Sequence, residues 1–254
     1  MRSLLLAIGF LTTLPVRVSD AAMSEVGRAA MWFPIVGFFL GLMLGLMHLL
    51  FVQFFAPMLA AALTVIVWIA ITGGLHLDGL ADCCDGLFVS ASAERRLEIM
   101  RDPRVGSFGV IGLVLIITLK ILAISSLPSD FRSFRGLCDF GSLPMSVFIL
   151  ALAISRWLIL IVARQPQARP DGMGAEFARG ITRRAILIAA IVPTLFVIAG
   201  LAAWQVLAAI VVAHATAFIV IRFAHARIGG VTGDVIGLTV ELSEAIILLI
   251  FAIP

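Results

Sequence analysis

Tyrosine is missing altogether, lysine occurs once (Lys120) and cysteine three times in 254 residues. Charged residues reach only 13%, where a soluble domain carries about 25%. That shortage, set beside 62% apolar residues, excludes both an ordinary soluble domain and a disordered chain. Two of the cysteines are adjacent (Cys83, Cys84), so neither a disulfide framework nor a Cys-x-x-Cys metal site can be assembled. The net charge is +3, and 17 of the 18 basic residues are arginine. So small a basic excess in so apolar a chain suits loops held at one face of a membrane, and no nucleic-acid partner is expected.

What the chain has in excess is long apolar sequence. Runs near the ~20 residues that cross a bilayer occur at 31–55, 58–77, 106–127, 145–163, 185–203, 205–223 and 235–253. They predict an all-α, polytopic transmembrane helical bundle of about seven spans embedded in the lipid bilayer. Residues 1–254 read as a single integral-membrane domain, with no linker and no repeat to divide it. An outer-membrane barrel is excluded, because its strands alternate in polarity over short segments. Leu4–Leu14, stopped by Pro15, is too short to span and precedes no small-x-small cleavage site, so 1–15 reads as an interfacial segment. With the N-terminus placed in the cytoplasm, 14 basic residues fall on that side and two, Arg132 and Arg135, on the other. The positive-inside rule favours this orientation, which leaves long cytoplasmic loops at 78–105, 164–184 and 224–234. Gly37, Gly41 and Gly45 would let helix backbones approach closely, within the bundle or between the subunits of a homo-oligomer.

The acidic residues are few and unevenly placed. Asp78, Asp82 and Asp85 follow Gly73-Gly74-Leu75-His76-Leu77, and offsets of four and seven keep all three within about 60° of arc on a helix. Three like charges on one face repel one another. A divalent cation among them relieves this, and hard carboxylate oxygens make Mg²⁺ the first choice over a merely solvated acidic face. His76 would point about 160° from that face on an unbroken helix. It joins the carboxylates only if Gly73-Gly74 or a helix start bends the backbone, so packing and substrate contact are both open for it.

A second polar concentration runs from Gly229 to Glu244. Around Thr232 and Gly233, glycine-rich backbone enters a helix and leaves amides able to meet phosphate. Asp234 at its lip would be a fourth metal ligand. Glu241 shares that face about 10 Å deeper, which suits the general base that takes the proton of an attacking alcohol. Glu244 has two readings, a functional carboxylate or the partner of mid-span Arg156. In Arg101-Asp102-Pro103-Arg104-Val105-Gly106-Ser107-Phe108-Gly109, the arginines suit bidentate phosphate binding and Gly106 and Gly109 would let amides approach. The same arginines could be topology signals only. The turn-rich Arg169-Pro170-Asp171-Gly172-Met173-Gly174 adds another positive contact. All four segments lie on one side of the membrane, which predicts a cytoplasmic-facing site for metal and polyphosphate and hence an Mg²⁺-dependent phosphotransferase.

The run Gly73–Gly86, with its His-Leu-Asp-Gly-Leu-Ala-Asp-x-x-Asp-Gly order, resembles the signature of the cobalamin synthase (adenosylcobinamide-GDP ribazoletransferase) family. Phe10–Pro15, Arg101–Gly109, Asp171–Gly174 and Gly229–Glu244 are similar to that family too, while Cys83, Cys84 and Pro103 depart from its usual pattern. The resemblance implies Mg²⁺, a multi-pass location in a prokaryotic inner membrane, and a late step of cobalamin biosynthesis. In that step α-ribazole, or its 5′-phosphate, attacks adenosylcobinamide-GDP; GMP leaves and adenosylcobalamin, or its 5′-phosphate, forms. The rival readings are a CDP-alcohol phosphotransferase of phospholipid synthesis and a cation transporter with intramembrane carboxylates.

Overall fold

The computed structural model describes residues 1–16, 21–127, 144–200 and 203–253. In chain order the helices are α1 (Arg2–Leu11), α2 (Met23–Ala29), α3 (Phe33–Phe51), α4 (Pro57–Thr72), α5 (Leu75–Leu87), α6 (Ala93–Ile99) and α7 (Ser107–Ser125). There follow α8 (Pro144–Ala163), α9 (Met173–Gly180), α10 (Arg183–Ala189), α11 (Ile191–Gly200), α12 (Trp204–Ile228) and α13 (Gly233–Phe251). A 3₁₀ turn, Ala30–Trp32, joins α2 to α3. Among the described residues, extended pairing is confined to one parallel bridge, between Gln167 and Val231.

The all-α class holds, and five to six of the apolar stretches qualify as spans by length and composition. By length and composition, five stretches of the described residues can cross a membrane: Met23–Phe54, Ser107–Ser125, Met145–Ala163, Arg183–Gly200 and Trp204–Ile228. A sixth exists if α4 and α5 are taken as one bent unit. The run at 58–77 breaks because Gly73 (φ 65°) and Gly74 (φ 68°) are both left-handed, and α5 departs from α4 at 94°. Glycine alone takes two such residues in succession at little cost. The aspartates thus sit beyond the bend, on a helix of their own rather than at the end of a straight span. The run at 235–253 falls in α13, whose three carboxylates set it apart from an ordinary lipid-facing span and most of whose residues are buried. The run at 185–203 is interrupted at Ala190, three residues before Pro193, whose ring and missing N–H disfavour a continuous helix there. Arg17, Arg132 and Arg135, used above to orient the chain, lie outside the described residues.

Burial shows which helix is central. In α8, 83% of the apolar window is buried, against 28% in α7, whose Val114 and Leu115 face outward. The glycine stripe of α3 meets α8. A Cβ on Gly37 would strike the backbone of Leu152, one on Gly41 that of Phe148 and Ile149, and one on Gly45 Met145. The stripe is therefore spent on packing inside one chain. Segment 1–15 docks into the bundle as well, with Leu6, Ala7 and Leu11 buried. Phe10, Phe33 and Phe177 stack with centroids 5.7–6.0 Å apart, tying α1 to α3 and α9. Such ring pairs contribute roughly 0.5–1.5 kcal/mol beyond their buried area. Just past α1, Thr13 donates its N–H to the Ile71 carbonyl at 2.8 Å and its hydroxyl to the Ala70 carbonyl at 3.0 Å, satisfying the exposed end of α4.

Candidate active site

Helical periodicity places Asp78, Asp82 and Asp85 along one side of α5, and α13 crosses that helix where two glycines meet. A Cβ on Gly79 would lie 2.9 Å from the Asp234 carbonyl oxygen, and one on Gly237 would lie 2.9 Å from the His76 carbonyl oxygen. No larger side chain permits this approach, and the approach is what brings Asp234 to the α5 carboxylates. Half-buried Asp82 feels the negative charges of Asp234, Asp78 and Asp85 together, with Arg169 opposing them.

A cavity of about 240 Å³ opens at the crossing. His76, Asp78 and Asp234 line one part, with the backbone of Gly79, Gly174, Gly233 and Gly237 between them; Phe10, Phe177 and Ile159 line another. His76 is 5% exposed and reaches this cavity because α5 begins at the glycine bend, only one residue before it.

Arg169 stands beside Asp234, off the cavity lining itself. Its Nη1 lies 3.4 Å from Asp234 Oδ2, and its Nη2 donates to the Leu97 carbonyl at 2.7 Å. The loop that carries it is pinned to the start of the α13 segment by two bonds of 2.9 Å, Ala168 N–H to the Val231 carbonyl and Val231 N–H to the Pro166 carbonyl. Burial lowers the Arg169 pKa from the usual guanidinium value, and Asp234 opposes that shift. Thr232 caps α13: its hydroxyl accepts from the Val235 N–H and donates to Asp234 Oδ2 at 3.1 Å. Gly233 follows at the cavity wall.

The structure separates residues that the sequence groups together. Asp85 turns its two oxygens to the start of α7, accepting from the Gly106 N–H at 2.7 Å and the Gly109 N–H at 2.9 Å. These are the amides that sequence spacing offered to phosphate; here a carboxylate takes them, and it favours a helix N-terminus for the same electrostatic reason. Arg104 is 87% exposed and folds back on Asp102, with Nε 2.9 Å from Oδ1 and Nη2 2.6 Å from Oδ2. Those hydrogen bonds hold the Asp102 pKa down to about 2. Arg101 remains near the cleft, where its charge acts on Asp234 and Arg169. Among the described residues no three His, Cys, Asp or Glu side chains converge closely enough to hold a metal ion unaided.

The sequence profile of the cobalamin-5-phosphate synthase family matches residues 3–252. The chain belongs to that family. The adenosylcobinamide-GDP ribazoletransferases of Escherichia coli strain K12 and Shigella dysenteriae serotype 1 are each 36% identical to it over 246 residues, 95% of this chain and 96% of theirs. No solved structure matches it. Membership makes the chain a transferase of cobalamin biosynthesis.

In this member of the synthase family, Glu241, the candidate base of the sequence reading, is held in an interior ion pair. It does not line the cavity, and its Oε2 lies 2.7 Å from Lys120 Nζ, with side chains 7% and 5% exposed respectively. A base must come within hydrogen-bond reach of the proton that it takes, and a buried carboxylate in a bilayer must be paired. Pairing wins here. Lys120 also binds Glu244 Oε2 at 2.5 Å and sits 4.4 Å above the Trp68 ring. Glu244 pairs in turn with Arg156 and accepts from Ser155 at 3.2 Å, so of its two readings the structural one is correct. Lys120 is the residue that sequence reasoning missed. Its signal is present: the chain's lone lysine, inside an apolar run, with two glutamates three residues apart on another helix to receive it.

Proposed function

We propose that the chain transfers adenosylcobinamide phosphate from adenosylcobinamide-GDP to α-ribazole, or its 5′-phosphate, with Mg²⁺, releasing GMP. The relatives' names suggest the GDP-linked corrinoid and the ribazole acceptor. The observation that supports the reading best is the meeting of His76, Asp78 and Asp234 at one glycine-walled cavity, with Arg169 paired to Asp234 and Asp82 within reach of the same charges. The acceptor's hydroxyl attacks the cobinamide-side phosphorus, and GMP departs with the electron pair of the broken P–O bond.

Asp78, Asp82 and Asp234 would hold Mg²⁺. Their hard oxygens and surplus negative charge suit it, and Mg²⁺ ordinarily takes one or two carboxylates together with substrate phosphates instead of a closed protein cage. When bound it supplies charge neutralisation at the diphosphate. Arg169 and Arg101 orient phosphate oxygens, and Gly233 lets the start of α13 come close to them. His76 accepts a hydrogen bond from the attacking hydroxyl, aims it, and takes its proton as the new P–O bond forms. Asp85, Gly106 and Gly109 act indirectly, by fixing α7 against α5. The site faces the cytoplasm of an inner-membrane protein whose N-terminus is also cytoplasmic, in line with the distribution of arginines.

The test is GMP release by purified protein in lipid bilayers. It should require the GDP-linked corrinoid, the acceptor and Mg²⁺ together, and should need no ion gradient. CMP release from a CDP-linked lipid would favour the phospholipid-synthesis rival instead.

A further inference from the structure

A second depression, of about 500 Å³, lies between α8 and α12, away from the catalytic cavity. Most of its wall is apolar, from Leu158 and Ile161 on α8 and Ala217, Phe218 and Ile221 on α12. Phe218 is 64% exposed. At the end nearest the 164–172 loop stand Arg222 and His225. No carboxylate lines the groove, and neither basic side chain has an acidic partner among the described residues.

Helix length explains the polarity gradient. The 25 residues of α12 extend about 37 Å, beyond the ~30 Å of a bilayer's hydrocarbon core. A helix of that length projects beyond the core, and the end carrying Arg222, His225 and Arg227 is the one suited to the headgroup layer, with Ala217 and Phe218 a turn or two earlier. A concave apolar trough capped by the Arg222 guanidinium, with the hydrogen-bonding ring of His225 beside it, is complementary to an amphiphile with a negative head. Basic side chains at that level attract anionic lipid.

We propose that this groove seats one anionic phospholipid, its phosphate on Arg222 and His225 and an acyl chain along Leu158, Ile161, Ala217 and Ile221. A second copy of the chain would have to bring a carboxylate to the basic end and an apolar ridge to the trough, whereas a phospholipid carries both features in one molecule.

The proposal is tested by native mass spectrometry of detergent-purified protein equilibrated with mixed micelles of phosphatidylglycerol or phosphatidylcholine. Phosphatidylglycerol should be retained in preference, and glycerol phosphate, which has the head without the chains, should not bind. Arg222→Gln with His225→Gln should reduce the retained lipid roughly ten-fold or more, the size of a lost charge-assisted contact. Ala217→Trp should displace the lipid by filling the trough while leaving the charges in place. Arg227→Gln is the control, because that guanidinium lies over the Phe223 ring at 5.1 Å and does not line the groove. Equal retention of the two lipids, or undiminished retention by the double variant, would overturn the proposal. So would cross-linking through position 218 to a second copy that excludes lipid. Should the tryptophan variant misfold, the double variant decides alone, since Arg222 is exposed and leaves the core untouched.

Discussion

Two sets of charged side chains in this protein are built on opposite plans. In the interior, Lys120 and Arg156 face Glu241 and Glu244, two against two, and each side chain is at most 7% exposed. Where α5 crosses α13, Asp78, Asp82 and Asp234 lie within reach of one another's charge and Asp234 pairs with Arg169, while Asp85 is taken up by the amides of α7. The interior set is neutral because it has to be: an unpaired ion in that environment costs several kcal/mol, which neither packing nor hydrogen bonds recover. The crossing keeps a surplus of negative charge, and a surplus is tolerable only where water or a cation can reach it. A carboxylate inside a span is a functional-site hypothesis by default. Here the interior carboxylates have found cations of the same chain, and the proposed function draws on those at the crossing.

The comparison breaks most visibly at Lys120. Lys120→Met leaves Glu241 without a cation and should cost about 3–5 kcal/mol of stability, measured by unfolding in detergent. Adding Glu241→Gln should restore part of that loss, which independent sites would not do. A neutral Lys120→Met would mean that the interior set is not a structural pairing.

At the crossing the opposite result is expected. Asp82→Asn should unfold like the wild type yet turn over ~10²-fold more slowly or worse, since it removes part of the seat for the cation. Arg169→Ala comes next. It should weaken binding of the GDP-linked substrate by roughly ten- to two-hundred-fold while leaving the acceptor's affinity nearly unchanged, measured by equilibrium binding of each substrate. Arg104→Ala sharpens the account by doing little. An exposed pair with its own near neighbour is worth little, so kcat/KM should stay within about two-fold of wild type. A large loss there would return Arg104 to the phosphate-binding set.

What the sequence makes legible is local. Apolar run length suffices for the helical class, a 3.6-residue period suffices for the common face of Asp78 and Asp82, and four-residue spacing suffices to mark the stripe of α3 as a packing surface. Pairings across long sequence separations cannot be read the same way. Lys120 meets glutamates 121 and 124 residues away, and Asp85 meets amides 21 and 24 residues on. No period in either segment names its partner. The break at Gly73-Gly74 is intermediate: adjacent glycines permit two left-handed residues, but only the packing of α5 against α13 requires them. Hydropathy likewise reads the bent pair of α4 and α5 as one straight run.

The division between the two charged sets is tested most directly by single-turnover GMP release, comparing Glu241→Gln with Asp82→Asn in the same bilayers at saturating Mg²⁺. The account predicts that Glu241→Gln, still folded on the remaining Lys120–Glu244 and Arg156–Glu244 pairs, releases GMP at least ~10²-fold faster than Asp82→Asn. Equal rates, or a Glu241→Gln variant that binds both substrates and Mg²⁺ but cannot release GMP, would contradict it and place the chemistry in the interior instead.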